Sequence, residues 1–239
     1  MQVLVDYDNI PQLIRRNGPR YVADRLCSAL WQRAKSAVLQ DRRIELRLYG
    51  GWYAGNSLSS AGQRLSADIQ SDFPLVLKPD PTDPTVSMTV AAFLAHSLVS
   101  LPRHTLFSTF RTRPGLEKVI CTHPSKFGCR EPLCPLIAVF DYFDTDSCSH
   151  PGCQVKAGLL VNRRGEQKLV DTMLVADLIY LSHNREPYVV VVTSDDDVWP
   201  GIIVGMQLGT HVIHVRTKYD GRPSSYLAGV PGKYSGVTL

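Results

Sequence analysis

No run of apolar residues in this chain approaches the length that a bilayer-spanning helix needs, so no membrane partner is expected. Val3-Leu4-Val5 already reads as a strand, so no secretory leader is expected and a cytoplasmic location is the expectation. In that compartment the six cysteines are not expected to form lasting disulfides. No serine, histidine and aspartate fall into the order of a hydrolytic triad, and His183, His211 and His214 stand apart from every acidic motif and read as structural. Acids are scarce through the centre, where Arg103, Arg111, Arg113, Lys118, Lys126 and Arg130 are interrupted by Glu117 alone. A basic stretch beside acidic motifs points to a polyanionic substrate. The remaining composition, 44% hydrophobic and 20% charged over 239 residues with a net charge of +4, fits a soluble globular protein. One domain spanning 1–239 with a segment inserted at 101–156 is expected.

What is present is a set of acidic strand ends. Tyr188 to Val192 is an unbroken apolar and β-branched run, the pattern of a strand buried on both faces of a parallel sheet. It stops at Thr193-Ser194-Asp195-Asp196-Asp197, and Pro200 opens the following helix. A first strand, Gln2 to Val5, ends likewise in Asp6-Tyr7-Asp8-Asn9. Open α/β sheets bind ligands at the carboxyl ends of their strands, and carboxylates gathered there repel unless a cation or proton sits among them. A third acid, Asp171, falls in the first turn of a helix that also carries Asp177. Six residues apart, the two cannot serve one ion; Asp171 is expected at the strand ends and Asp177 in a supporting role.

Between these motifs the periodicity predicts a helix from Pro19 and a strand over 44–49. A helix over 61–72, a short strand over 73–77 and a helix over 86–99 follow. A last strand is expected over 211–215, with a Gly, Pro and Ser-rich tail that is mostly loop. Trp52 and Tyr53 at a strand end suit either stacking on a base or packing against the rim. Lys168 is placed to meet a phosphate, and Arg163, Arg164, Arg111 and Arg113 to follow a nucleic-acid backbone; solvated turns are the plainer account of them.

The insert holds five of the six cysteines, Cys121, Cys129, Cys134, Cys148 and Cys153, and the pattern Cys-x-His-Pro occurs in it twice. In a reducing compartment such density suggests a structural zinc held by four of these, against unliganded core thiols as the alternative.

The order Asp6-x-Asp8-Asn9, Lys168-x-x-Asp171 with Asp177, Thr193-Ser194-Asp195-x-Asp197-Val-x-Pro200 and Gly209-x-x-Val212 resembles the NYN domain family, relatives of the PIN-domain ribonucleases. The resemblance spans both ends of the chain around the insert. It implies a Rossmann-like, mostly parallel sheet flanked by helices, metal-dependent cleavage of RNA rather than DNA, and pairing into a homodimer. Carried over by position, it makes Asp6, Asp171, Asp195 and Asp197 the metal-binding acids, with Asn9 beside them. Ser194 departs from the family, standing where glycine is frequent. Independently of the name, hydrolysis of a phosphodiester needs an activated water and a stabilised leaving oxygen, which Mg²⁺ or Mn²⁺ on oxygen ligands can supply. Two rivals remain at this point. Asp6-Tyr7-Asp8 is similar to the nucleophile loop of haloacid-dehalogenase-like phosphatases, with Asp6 attacking and Asp8 as acid and base; a nucleic-acid-binding adaptor with an idle acidic site is the other.

Overall fold

Strand β1 (Gln2–Asp6) lies in the interior of a seven-stranded sheet of order β11-β10-β9-β1-β2-β6-β5. Its neighbours are β2 (Arg43–Tyr49) and β9 (Tyr188–Val192), both parallel to it. Beyond β2 comes β6 (Met88–Leu94), also parallel, and then the short antiparallel edge β5 (Leu75–Leu77). Beyond β9 come β10 (His211–Arg216) and β11 (Tyr234–Thr238), both parallel. The computed structural model describes residues 1–34, 42–80, 82–83, 85–99, 109–112, 123–156, 165–167, 169–218 and 232–239.

Alternation along the central strands explains why helices cover both faces. Val3, Val5, Val190 and Val192 join one core with Val22, Leu26 and Leu30 of the long helix that follows a single helical turn; the turn is α1 (Gln12–Arg15) and the helix α2 (Gly18–Arg33). Leu4, Val189 and Val191 join the opposite core with Leu174 and Leu178 of α5 (Val170–His183) and Ile202 of α6 (Trp199–Gln207). Helix α3 (Ser60–Asp72) adds Leu65 and Ile69 to the first core, and the Ser59 hydroxyl caps it by accepting from the Gly62 N–H. A strand with helices on both faces must be apolar at every position, which is how β9 reads. The architecture is therefore α/β, a mostly parallel sheet flanked by helices.

The chain runs from β1 outward through β2 to β6, then returns to β9 and proceeds through β10 to β11 on the other side. The reversal falls between β1 and β9, and at such a switch point the carboxyl ends of adjacent strands border a crevice.

One expectation is corrected. Val86–Val99 is not helical: Met88–Leu94 is β6, its exposure alternating along the strand. The spacing of Val90, Phe93, Leu94 and Leu98 suited a helix, but backbone pairing to β2 and β5 satisfies this segment on both sides. Within the tail, expected to be mostly loop, Tyr234–Thr238 pairs along the edge of β10.

Met1–Phe110 with Gln167–Leu239 form one compact unit, and Arg111–Glu166 a second. The second contains a 3₁₀ turn at Pro124–Phe127 and helix α4 (Pro135–Thr145). Helix α4 was not foreseen, although Pro135 at its first position and Leu136, Ile137, Val139, Phe140 and Phe143 carry its signature. Two small ladders complete the elements: β3 (Tyr53–Ala54) with β4 (Ser57–Leu58), and β7 (Phe110–Thr112) with β8 (Gly165–Gln167).

Candidate acidic metal site

Asp6 is the last residue of β1 and is buried, 6% exposed, at the crevice between β1 and β9. Three donors or acceptors fix its surroundings. The Thr193 hydroxyl, just past β9, donates to Asp6 Oδ2 at 3.0 Å. The Asp195 backbone N–H in turn donates to Thr193 Oγ1 at 3.2 Å, and the Asn9 N–H reaches Asp6 Oδ1 at 3.4 Å. Asp171 enters from the first turn of α5. The turn begins at Leu169, whose φ of 64° puts a non-glycine residue in the left-handed region, where its carbonyl accepts from the Met173 N–H and the Thr172 hydroxyl.

One carboxylate oxygen from each of Asp6, Asp171 and Asp195 lies within 4.8 Å of the other two. Burial pushes the Asp6 carboxyl up to about 6; the Thr193 hydrogen bond opposes this, and repulsion from Asp171 and Asp195 adds to it. Asp171 is raised by burial and by the charges of Asp195 and Asp197. Three oxygen donors of one sign, two of them exposed to water, suit a hard divalent cation that keeps part of its hydration. Asp197 is not in the group of three. It sits in a 3₁₀ turn over Asp196–Val198, close enough to raise Asp171 electrostatically.

Asn9 lies beside the acids, and its side chain ties neighbouring loops together. Its Oδ1 accepts from the Ser194 N–H at 3.0 Å and from the Thr217 hydroxyl at 2.6 Å. Ser194 completes this brace: its Oγ accepts from the N–H groups of Thr217 and Lys218 at 2.9 and 2.8 Å and lies 3.0 Å from Thr217 Oγ1. A proton order running from Ser194 to Thr217 to Asn9 satisfies every hydroxyl. The Ser194 hydroxyl thus stitches the end of β10 to the β1 and β9 loops. Beneath it, His214 is buried and its Nε2 meets the Thr193 carbonyl at 3.0 Å. A carbonyl only accepts, so Nε2 carries the proton and Nδ1 accepts from the Tyr234 hydroxyl at 3.1 Å. Burial holds this imidazole down to about 4. Thr217 and His214 were not foreseen as parts of the site; Thr217 is 208 positions from Asn9, and no local pattern announces the contact.

The other expected residues separate clearly. Asp177 is fully buried and occupied: it accepts from the Tyr49 hydroxyl at 2.6 Å, the Leu98 N–H at 2.7 Å and the Ser97 hydroxyl at 3.2 Å, with Arg47 at 3.8 Å. Burial raises its carboxyl while these partners oppose the rise. Asp8, the second acid of the phosphatase-like loop, is exposed and pairs with Arg15 at 2.5 Å. Trp52 packs rather than stacks on a ligand, buried with its Nε1 donating to the Leu48 carbonyl at 2.6 Å. Arg113, Arg163, Arg164, Lys168 and Cys121 lie outside the described residues, as does the side chain of Arg111. Cys129, Cys134, Cys148 and Cys153 are free thiols of intermediate burial. Among the described residues, Asp6, Asp171 and Asp195 are the one group of three or more potential ligands gathered within metal-binding reach.

No family model matches the chain, and no curated protein or solved structure matches it either.

Proposed function

We propose that this protein is a metal-dependent endoribonuclease that hydrolyses phosphodiester bonds of single-stranded RNA, with the Rossmann-like NYN and PIN arrangement that its motifs resemble. The observation that carries the reading is the convergence of Asp6, Asp171 and Asp195 at the carboxyl ends of parallel strands. Three separate elements, the first of them far from the other two in sequence, contribute one carboxylate each, an arrangement that costs repulsion and burial and that a bound cation repays. Asp6, Asp171 and Asp195 would hold Mg²⁺ or Mn²⁺, with Asp197 beside them. The ion supplies the Lewis acidity that activates a water and steadies the leaving oxygen.

The chain's own residues do the remaining work. Thr193 keeps Asp6 oriented and holds the Asp195 loop against it. The brace of Asn9, Ser194 and Thr217 keeps the loops after β1, β9 and β10 in register, so the acids are placed before substrate arrives. The exposed edges of Asp171 and Asp195 leave one side open to a phosphate. The Arg111–Glu166 unit adds basic residues and, in this reading, a structural zinc. None of the described residues over 123–156 is buried, and a bound metal is one of the staples that small units with little buried surface use. Metal analysis of the purified protein, with and without thiol alkylation under denaturing conditions, tests for that zinc.

Cleavage of end-labelled single-stranded RNA and DNA is the direct test, run with Mg²⁺, with Mn²⁺ and with EDTA. Cutting that depends on metal, prefers RNA and is lost in Asp195→Ala supports the proposal. Equal cutting by wild type and Asp195→Ala, or binding without turnover in every metal, rejects it.

A further inference from the structure

We infer that the groove between α5 and α6 is a nucleobase subsite, which receives the unstacked base of a nucleotide next to the bond being cut. The inference rests on the nuclease reading of the adjoining acids. The groove encloses about 750 Å³, within the range of sites for small organic ligands. Its walls are Leu169, Val175, Ala176 and Ile179 on one side and Pro200 and Ile203 on the other. Leu169 and Ile203 are 41% and 42% exposed, large apolar side chains turned to water.

Charge decides what such a groove can hold. Among the described residues, its lining includes Asp171, Asp196 and Asp197 and no lysine or arginine. A phosphate placed along those walls meets carboxylates, so the sugar-phosphate chain is excluded from the groove itself. A base carries no charge, presents flat apolar faces, and has N–H groups on its edge that carboxylates accept. Asp171 belongs both to the groove and to the group of three acids, which joins the two places. A phosphate at the acids and its neighbouring base between the helices therefore fit one nucleotide step. Trp199 also lines the groove but is only 3% exposed, so the contact is mainly with aliphatic side chains, whose packing against a flat base is tolerant of base identity.

The test measures binding of a short fluorescent single-stranded RNA to the full chain in Ca²⁺, with one base at a time replaced by an abasic sugar. Wild type is expected to lose about tenfold in affinity when the base at one position, or at two adjacent positions, is removed. Ile203→Asp, a change at an exposed position, is expected to weaken the intact strand by about the same factor and to abolish the abasic penalty, because both changes remove one contact. Leu169→Asn serves as the second variant: asparagine tolerates the left-handed backbone there and removes the apolar wall. Thermal unfolding confirms that each variant is folded. A flat abasic scan in wild type, a penalty that persists in both variants, or absence of binding overturns the subsite. So does displacement of the strand by an amphipathic Lys/Leu peptide from wild type but not from Ile203→Asp, which would make the groove a protein-docking site. Cutting is assayed in parallel. Normal cutting with a flat scan removes the subsite alone, and a positional penalty without cutting removes the nuclease alone.

Discussion

The Thr193 hydroxyl holds Asp6 and the Asp195 loop together, donating to Asp6 Oδ2 at 3.0 Å and accepting from the Asp195 N–H at 3.2 Å. One oxygen thereby couples the end of β1 to the loop after β9. Thr193→Val keeps the shape and β-branching but removes both bonds. The expected cost is about 2 kcal/mol, the usual range for a buried donor to a charged group, read as a shift in urea midpoint. The same variant should bind Mn²⁺ more weakly, because Asp6 loses the bond that favours its ionised form. A variant with wild-type stability and metal affinity would remove Thr193 from the site.

Stability should respond to pH through Asp6 in a direction unusual for a carboxylate. Burial lifts its pKa from an ordinary 3.8 to about 6, so the folded state holds the proton more tightly than the unfolded one. Through this group, stability falls as pH rises between those two values and stays lower above them. The shift corresponds to roughly 3 kcal/mol. His214 has the opposite sign: with its pKa lowered from 6.5 to about 4, its contribution is lost as pH falls through that window. The two slopes oppose each other in wild type. Asp6→Asn removes only the first, so without metal the stability difference should move in the variant's favour by roughly 2 kcal/mol from pH 4 to pH 7. Urea unfolding across that range measures it, and a difference independent of pH would refute the account.

Asp171 and Asp177 lie on one helix and should behave as opposites. Asp171→Ala removes a repelling charge, so the metal-free protein keeps or gains stability. It should lose the stabilisation by Mn²⁺, which for wild type reaches about 2.7 kcal/mol at one hundred times the dissociation constant. Asp177→Ala strips the partner from Tyr49 and Arg47 in a sealed interior and should cost about 3–5 kcal/mol, while the Mn²⁺ effect remains. Differential scanning fluorimetry with and without Mn²⁺ reads both. Equal Mn²⁺ shifts in wild type and Asp171→Ala would dismiss the metal site.

Ser194→Gly should destabilise by about 1–2 kcal/mol. The hydroxyl it deletes accepts two N–H groups from Thr217 and Lys218. Hydrogen exchange at those two amides should accelerate while exchange in the body of β9 stays slow. Unchanged protection at Thr217 would show that the brace holds without Ser194.

The elements carrying the acids were legible in the sequence because their cause is local. A valine run of strand length can be buried only between two layers of helices, so β9 declared a parallel sheet, and Thr193 to Asp197 had to emerge at its carboxyl end. Asp6 follows from the same pattern at β1, and Asp171 from its place in the first helical turn. Local pattern failed where two periods fit equally well or where an element is stabilised from elsewhere. Met88–Leu94 satisfies helical spacing, and only pairing with β2 and β5 makes it a strand. Tyr234–Thr238 contains a glycine and few apolar residues, and becomes β11 because the edge of β10 offers unpaired backbone groups. Tertiary structure alone also decided which acids meet. Asp177 reads from the sequence as a supporting acid, but only the fold supplies its partners, turning it into the interior toward Tyr49 and Arg47. Asn9, Ser194 and Thr217 come together only when the ends of β1, β9 and β10 are side by side. Residue order along a strand sets which groups arrive at its end, whereas the strand order of the sheet sets which ends are neighbours.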